Sequence, residues 1–158
     1  MPESFVDGLK NNAANRSIEI LNDRLAQVID LTLAVKQAHW NIKGVNFIAV
    51  HELLDDVADR LREIGDEIAE RAVILGGIAR GTTEEVAAKS GLDPYPVEET
   101  DIDAHLDALV SRFKAVGKSL REAIGIASES GDEGTADLFT AASRSLDKDA
   151  WFLGANRD

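Results

Sequence analysis

The sequence predicts an all-α fold, a four-helix bundle with a short extra helix in the connection between the second and third long helices. Four long stretches repeat apolar residues every three or four positions, which is the spacing of an amphipathic helix. Only three residues are proline and 5% are aromatic, whereas Ala, Leu and acidic residues are abundant. This composition suits helices, and four amphipathic helices pack naturally as a bundle.

The first two long helices are separated by a short turn. Apolar residues recur at helical spacing up to about residue 40: Ile18, Leu21, Leu25, Val28, Ile29, Leu33 and Val35. Residues 41–46, which include Gly44, form the turn. The second helix then carries its own apolar stripe: Val50, Leu54, Val57, Leu61, Ile64 and Ile68. Gly76 and Gly77 suit the C-terminal cap of this helix.

Capping residues predict where the next two helices begin and end. Thr82 and Glu85 resemble a capping box and predict a short helix over residues 83–89. Thr100 is followed by acidic residues and is predicted to be the N-cap of the third long helix. Ser-Gly at residues 130–131 is predicted to end it.

The fourth long helix completes the bundle. Asp132 suits its N-cap, and Gly154 marks its end. The long connection between the second and third helices allows these two helices to run parallel, as in bundles with one crossover, although a plain up-down bundle also fits.

The composition limits both the architecture and the chemistry. A length of 158 residues suits one domain, so we expect residues 1–158 to form a single unit with residues 1–15 as a short N-terminal extension. Because cysteine is absent, a metal site has to use histidine and carboxylate ligands. The formal charge of -12 repels nucleic-acid phosphates and attracts cations. No export leader or apolar run of roughly 20 residues occurs, so we expect a cytoplasmic protein.

Two of the three histidines, His39 and His51, flank the predicted turn between the first two helices. Asp55 follows His51 by four positions, so both side chains project from one face of the second helix. Two imidazoles and a carboxylate suit iron or zinc, and the sequence therefore predicts a metal site here. The third histidine, His105, has no second histidine at helical spacing, and we interpret it as a surface or a satisfied structural residue.

A second acidic pair, Asp66 and Glu70, lies further along the second helix. It begins 15 residues after His51, which is roughly 22 Å of helix and too far for one metal ion. The pair of His51 and Asp55 and the pair of Asp66 and Glu70 nevertheless lie on broadly one side of the helix. Two copies of the helix packed antiparallel near Arg60 and Leu61 would bring the pairs together, so we hypothesise a site that two subunits share. Glu70 could instead pair with the arginine beside it.

These residues resemble the motifs of the Dps family, the mini-ferritins named for DNA binding in starved cells. His39, Trp40, Gly44, His51 and Asp55 match the first motif at every spacing. The stretch ERAVILGG, with the acidic pair described above, matches the second motif. The similarity continues through TADLFTAASRSLDKDAWF, so it covers most of the chain and implies a ferritin-like four-helix bundle.

The resemblance implies an iron-oxidising enzyme, a ferroxidase. Its catalytic metal ligands would be His39, His51 and Asp55 of one subunit with Asp66 and Glu70 of the neighbouring subunit. Hydrogen peroxide, or more slowly oxygen, would oxidise Fe(II), and twelve subunits would enclose the Fe(III) mineral. Such a protein would protect the bacterial cytoplasm or nucleoid from oxidative damage.

The resemblance also implies two auxiliary sites. Trp40 matches a tryptophan near the family's iron centre that donates an electron, although it could instead be a packed aromatic residue at a helix end. Three acidic residues match an iron-entry pore near the start of the fourth helix: Asp132, Glu133 and Asp137, of which Asp137 is the main candidate. They could instead only favour the helix N-terminus. The chain lacks a Glu-x-x-His pair, which argues against a di-iron site inside one bundle.

Two other functions stay open as alternatives. A nucleoid protein of this family would bind DNA through a lysine-rich tail, but residues 1–16 hold two basic and two acidic side chains, and Arg157 stands beside Asp158. These charges cancel, so the sequence argues against DNA binding. A metal-buffering bundle would bind iron or zinc without turnover with peroxide.

Overall fold

The computed structural model describes residues 2–157, which form a bundle of helices. Five helices follow one another along the chain: α1 (Asn11–Asn41), α2 (Phe47–Ile74), α3 (Thr83–Lys89), α4 (Ile102–Ser130) and α5 (Glu133–Gly154). Met1 and Asp158 lie outside the described residues. The predicted cancellation of charge between Arg157 and Asp158 therefore lies partly outside them as well. The prediction of an all-α four-helix bundle with a short extra helix is confirmed. Among the described residues, no helix is long and apolar enough to cross a membrane.

Hydrogen bonds between helices fix the direction in which each one runs. Arg24 in α1 donates to the backbone carbonyl of Ser119 at 2.9 Å, and the amide of Lys43, just after α1, donates to the carbonyl of Thr100 at 2.7 Å. α1 therefore runs antiparallel to α4, and it forms an antiparallel hairpin with α2. It follows that α2 and α4 are parallel, which is the single-crossover topology, and the up-down alternative is wrong.

Apolar side chains from all four long helices fill the centre of the bundle. The largest fully buried side chains include two phenylalanines and a series of leucines: Phe113, Phe139, Leu21, Leu31, Leu54, Leu61, Leu120 and Leu146. Burying one such side chain contributes about 1.5–3 kcal/mol. Several apolar side chains remain exposed on the outer faces, namely Leu33, Trp40, Ile48, Val73 and Trp151.

Helix α2 ends in a Schellman motif, as its two glycines predict. Gly76 has φ 87°, and its amide donates to the carbonyl of Val73 at 2.9 Å. The amide of Gly77 donates to the carbonyl of Ala72, also at 2.9 Å. A Cβ atom on Gly77 would lie 2.6 Å from Cγ2 of Ile18 and 2.8 Å from the Ala72 carbonyl oxygen. The chain therefore turns so close to α1 that only glycine fits.

We expect Gly77→Ala to destabilise the protein by about 1–3 kcal/mol, because the new methyl group overpacks this contact. Urea unfolding at a fixed protein concentration measures the change. Gly125→Ala is the matched control, since Gly125 lies within α4 and an added Cβ atom there meets nothing within 4 Å. Removing a mid-helix glycine should stabilise that variant by about 0.5–1 kcal/mol. Equal stability of the Gly77 variant and the wild type would contradict the close contact.

The N-terminal caps of α3 and α4 differ from the predictions. α3 spans the expected residues, but the side chain of Thr82 makes no capping hydrogen bond, so the predicted capping box is wrong. α4 begins one residue later than Thr100 would set it, because the carboxylate of Asp101 accepts from the amide of Ala104 at 3.0 Å. Asp101 is therefore the N-cap, and Thr100 instead offers its carbonyl to Lys43.

Asp132 caps α5 and joins it to α2. Its carboxylate accepts from the Thr135 amide at 3.0 Å, from the Thr135 hydroxyl at 2.6 Å and from Nη2 of Arg71 at 2.9 Å. The residue is only 2% exposed. Burial alone would raise its pKa, but the hydrogen bonds from Thr135 and the charge of Arg71 hold that pKa below its usual value. The N-cap prediction is confirmed, and the carboxylate is also the centre of a buried ion pair.

Candidate metal centre

The turn between α1 and α2 brings His39 and His51 face to face. Asn46 adopts φ 63°, and among residues 2–157 it is the one residue other than glycine with a positive φ. Asparagine tolerates this left-handed conformation better than most residues do. The chain reverses here so that the two imidazole rings stack, with their centroids 3.7 Å apart and their planes 19° from parallel. The sequence-predicted pair is thus adjacent within one subunit.

Each histidine is held by the backbone of the other. Nδ1 of His39 lies 2.8 Å from the carbonyl oxygen of His51, and Nδ1 of His51 lies 2.8 Å from the carbonyl oxygen of His39. A carbonyl oxygen only accepts, so each Nδ1 carries a proton. Each Nε2 therefore keeps its lone pair, which is the pair that a metal ion needs. The backbone thus fixes two imidazoles in the metal-ligating tautomer.

Asp55 lies beside this pair and contacts a lysine from α1. Its Oδ1 is 3.9 Å from Nε2 of His39 and 2.7 Å from Nζ of Lys36. The hydrogen bond from Lys36 holds the pKa of the Asp55 carboxyl below its usual value. Sequence reasoning missed Lys36, although its position three residues before His39 on the same helix was a visible signal.

Trp40 follows His39 but does not pack into the bundle. Its side chain is 67% exposed, and Nζ of Lys36 lies 5.7 Å from the centroid of one of its rings. Within one subunit Trp40 is therefore not packed, and the alternative of a packed aromatic residue stays open for the assembly. Its role as an electron donor stays a prediction.

Asp66 and Glu70 lie on the exposed side of α2. Neither forms an ion pair with any of residues 2–157, and Arg71 is turned towards Asp132 and away from its neighbour Glu70. The alternative of a Glu70–Arg71 surface pair is therefore not observed. Within the described part of the chain, no group of three or more His, Asp or Glu side chains is placed to hold a metal ion.

An apolar groove runs between α1 and α2 next to Asp66. Its volume is about 340 Å³, and its lining is mostly aliphatic: Leu25, Val28, Ile29, Leu33, Leu61 and Ala69. Leu33 is 57% exposed at this groove. The exposed carboxylate of Asp66 therefore borders an apolar surface that one subunit leaves open.

The three predicted pore residues have different surroundings. Asp132 is buried and bound to Thr135 and Arg71, so its carboxylate is already used within the subunit. Glu133 is exposed and accepts from the Ser128 hydroxyl at 2.7 Å, and Asp137 is exposed on the first turns of α5. An iron-entry role for these residues stays a prediction.

His105 takes no part in this centre. It is 1% exposed, and both of its ring nitrogens are hydrogen bonded, to the Tyr95 hydroxyl at 2.7 Å and to the Glu99 carbonyl at 2.9 Å. The surface alternative for His105 is wrong, and the structural one is confirmed.

Comparisons with known proteins identify the family of this chain. The family model of the ferritin-like domain matches residues 18–158. The "DNA protection during starvation protein" of Agrobacterium fabrum is 53% identical over 148 residues, which cover 94% of this chain and 91% of that protein. This chain belongs to the Dps family. The predicted membership is therefore confirmed.

Solved Dps structures share the fold over nearly the whole chain. DpsA14 from Streptomyces coelicolor aligns with a TM-score of 0.92 at 38% identity and covers 98% of this chain and 91% of that one. The tetragonal form of Mycobacterium smegmatis Dps also gives a TM-score of 0.92, at 34% identity, with 98% and 93% of the two chains covered. The α1–α2 turn with its two histidines therefore sits in a Dps-type bundle.

Proposed function

We propose that this protein stores iron and protects the cell by oxidising Fe(II) with hydrogen peroxide, or more slowly with oxygen, and by retaining the Fe(III) mineral inside a cytoplasmic cage of identical subunits. The observation that carries the proposal is the stacked pair of His39 and His51, with Nε2 of His39 3.9 Å from the carboxylate of Asp55. Membership of the ferritin-like Dps family supports the iron-storage part. The number of twelve subunits rests on the family resemblance.

The proposed centre is shared between two subunits. His39, His51 and Asp55 of one subunit would meet Asp66 and Glu70 of the next. The exposure of both acidic residues on α2 supports this arrangement, as does the open apolar groove beside them, which a second copy would cover. Two nitrogen and three carboxylate ligands suit one or two Fe(II) ions with positions left open for an oxidant.

The chemistry of such a centre explains the protection. Two Fe(II) ions give one electron each to a hydrogen peroxide molecule, which takes up two protons and leaves as two water molecules. Because both electrons are delivered at one place, the one-electron reduction that releases hydroxyl radical is avoided. The ionised carboxylates stabilise the increase in positive charge as Fe(II) becomes Fe(III). Where only one Fe(II) ion is bound, exposed Trp40 would supply the second electron in place of the second ion, and Asp137 would help to attract Fe(II).

Stopped-flow measurement of peroxide-dependent Fe(II) oxidation tests the proposal. His51→Ala removes one proposed ligand and the ring that stacks on a second, so we expect the rate to fall by about a hundredfold or more. An equal rate in this variant would exclude His51 from the centre. The mass of the native assembly tests the cage: a value near twelve subunits supports it, and a stable monomer contradicts it.

Lys36→Met should strengthen the binding of divalent cations. The ammonium of Lys36 donates a hydrogen bond to the carboxylate of Asp55, and a metal ion that binds this carboxylate has to break that bond. We expect Co(II) or Zn(II), measured by titration calorimetry, to bind about two- to fivefold more tightly, the range of an exposed ion pair. Lys118→Met, which removes a lysine paired with Glu122 on α4, is the matched control and should bind as the wild type does. Unchanged affinity in the Lys36 variant would contradict the competition.

DNA binding is the second candidate function, because the relatives in Agrobacterium fabrum and Mycolicibacterium smegmatis are named "DNA protection during starvation protein". The net charge of -12 opposes it. We expect no gel shift of duplex DNA at moderate salt, and a shift that survives moderate salt would favour the DNA-binding alternative. Metal binding without peroxide-dependent turnover would favour a metal buffer.

A further inference from the structure

A hydrogen-bonded tyrosine and histidine lie at the start of α4, and the proposed iron centre uses neither. The hydroxyl oxygen of Tyr95 is 2.7 Å from Nδ1 of His105, and the two rings stack with centroids 5.7 Å apart. Nε2 of His105 is 2.9 Å from the carbonyl oxygen of Glu99. Because that oxygen only accepts, Nε2 carries the proton of the neutral ring. The Tyr95 hydroxyl therefore donates to the free lone pair on Nδ1.

The surroundings of Tyr95 link the loss of an electron to the loss of a proton. Burial raises the pKa of the Tyr95 phenol well above its usual value, so the phenolate does not form at neutral pH. The guanidinium of Arg112 lies 5.3 Å from the ring centroid. A phenol that lost only an electron would carry a positive charge beside this cation, which coulombic repulsion opposes. The electron can leave readily only when the proton moves to His105 at the same time.

The site of His105 is suited to accept that proton. The amides of Asp101 and Thr100 donate to the Glu99 carboxylate, at 2.9 and 2.8 Å, and hold its pKa below the usual value. Glu99 is thus ionised, and its negative charge lies near the imidazole of His105. The carbonyl of Glu99 accepts equally well from the neutral and the protonated ring. Proton transfer therefore leaves every hydrogen bond of the histidine in place.

Small oxidants have access to Tyr95. Its ring lines a solvent-open cleft of about 480 Å³ between α1 and the segment that precedes α4. Gln37, two residues before the proposed ligand His39, donates to the carbonyl of Val97 in this segment at 3.2 Å. Residues two positions apart point to different sides of a helix, so a one-electron oxidant that escapes pairwise reduction at the iron centre would reach this cleft through the solvent.

We propose that Tyr95 is a redox-active tyrosine, which intercepts one-electron oxidants of the hydroxyl-radical class and passes its proton to His105. The oxidant takes one electron and becomes hydroxide, the phenolic O–H bond breaks, and the proton binds to Nδ1. The products are a neutral phenoxyl radical and an imidazolium. One electron from an Fe(II) ion, which becomes Fe(III), then restores the phenol as the proton returns. The source of the oxidant depends on the proposed function, whereas the chemistry of the pair does not.

The sequence contains a single tyrosine, so any tyrosyl radical belongs to Tyr95. Azide radicals, generated by pulse radiolysis, oxidise the full-length assembled protein without iron, and optical and electron paramagnetic resonance spectra follow the radical. We expect a tyrosyl signal in the wild type and its loss in Tyr95→Phe. In His105→Gln it should form about a hundredfold more slowly, because a positioned proton acceptor is lost. The absence of a signal in the wild type, or wild-type kinetics in His105→Gln, would overturn the proposal.

A measurement on the wild type alone covers the case in which His105→Gln fails to assemble. Electron–nuclear double resonance should detect one exchangeable proton hydrogen bonded to the phenoxyl oxygen, and its absence would overturn the proposal. The same spectra after Fe(II) and peroxide separate the two proposals. A tyrosyl radical with azide but no peroxide-dependent iron oxidation supports the pair and overturns the ferroxidase function. Iron oxidation without any tyrosyl radical in the azide experiment supports the ferroxidase function and overturns the redox role of Tyr95.

Discussion

Co-expression of His51→Ala with Asp66→Ala should restore about one quarter of the wild-type rate of Fe(II) oxidation, although each variant alone loses about a hundredfold or more. The reason is geometric. A mixed dimer has one centre that carries both substitutions and one centre that carries neither. Half of all randomly formed dimers are mixed, and half of their centres are intact. Stopped-flow oxidation with peroxide, normalised to protein concentration, gives the restored fraction.

The matched control pairs two substitutions from the same side of the centre. His51→Ala with Asp55→Ala leaves one substitution in every centre of every dimer, so this mixture should stay inactive. Glu67→Ala, at an exposed neighbour of Asp66 on α2, should keep the wild-type rate. Equal activity of the two mixtures would show that the acidic residues and the histidines do not come from different subunits.

Asp132→Asn is expected to lower the free energy of unfolding by about 3–5 kcal/mol, the cost of leaving a buried charge without its partner. The variant leaves the largely buried guanidinium of Arg71 unpaired. It also weakens the cap of α5, since an amide accepts less strongly than a carboxylate from Thr135. Urea unfolding at pH 7 and at a fixed protein concentration measures the loss.

The effect of pH distinguishes this ion pair from a packing defect. The pKa of Asp132 is lower in the folded protein than in the unfolded chain, so the carboxylate stabilises the fold above pH 4 or so. This contribution is lost as the pH falls through the lower, folded pKa. The difference between wild type and Asp132→Asn should therefore shrink in acid. Asp137→Asn, at an exposed position on α5, should change stability by no more than about 0.5 kcal/mol.

The helices could be predicted from the sequence because their signals are local. Apolar spacing marks the faces that pack, and Gly76 and Gly77 end α2 as glycines at a C-terminus do. The caps were harder to predict, because neighbouring polar residues compete for one position. Asp101 displaces Thr100 at the start of α4, since its carboxylate is the stronger acceptor for the Ala104 amide.

Of the candidate centre, only the closeness of His39 and His51 was predicted from the sequence and then observed, and their role as ligands stays a prediction. The spacing around the turn places His39 and His51 together, but their mutual hydrogen bonds depend on the left-handed turn residue Asn46. Contacts between separate segments of the chain leave no periodic pattern in the sequence from which they could be predicted. Arg71 reaches Asp132 across 61 positions, and Tyr95 reaches His105 from a loop. The assembly with a second subunit, and with it the ferroxidase centre, stays a prediction.

The carbonyl of His39 shows how the backbone determines the composition of the centre. In a continuing helix the amide of Lys43 would bond to this carbonyl, but that amide donates to Thr100 instead. The imidazole of His51 supplies the missing donor. The carbonyl of His51 lies inside α2, where the amide four residues further on already bonds to it, so Nδ1 of His39 is an additional donor there. A carboxylate at position 51 could not donate and would leave the carbonyl oxygen of His39 unsatisfied. The end of α1 therefore favours a nitrogen side chain at position 51, before any ion arrives.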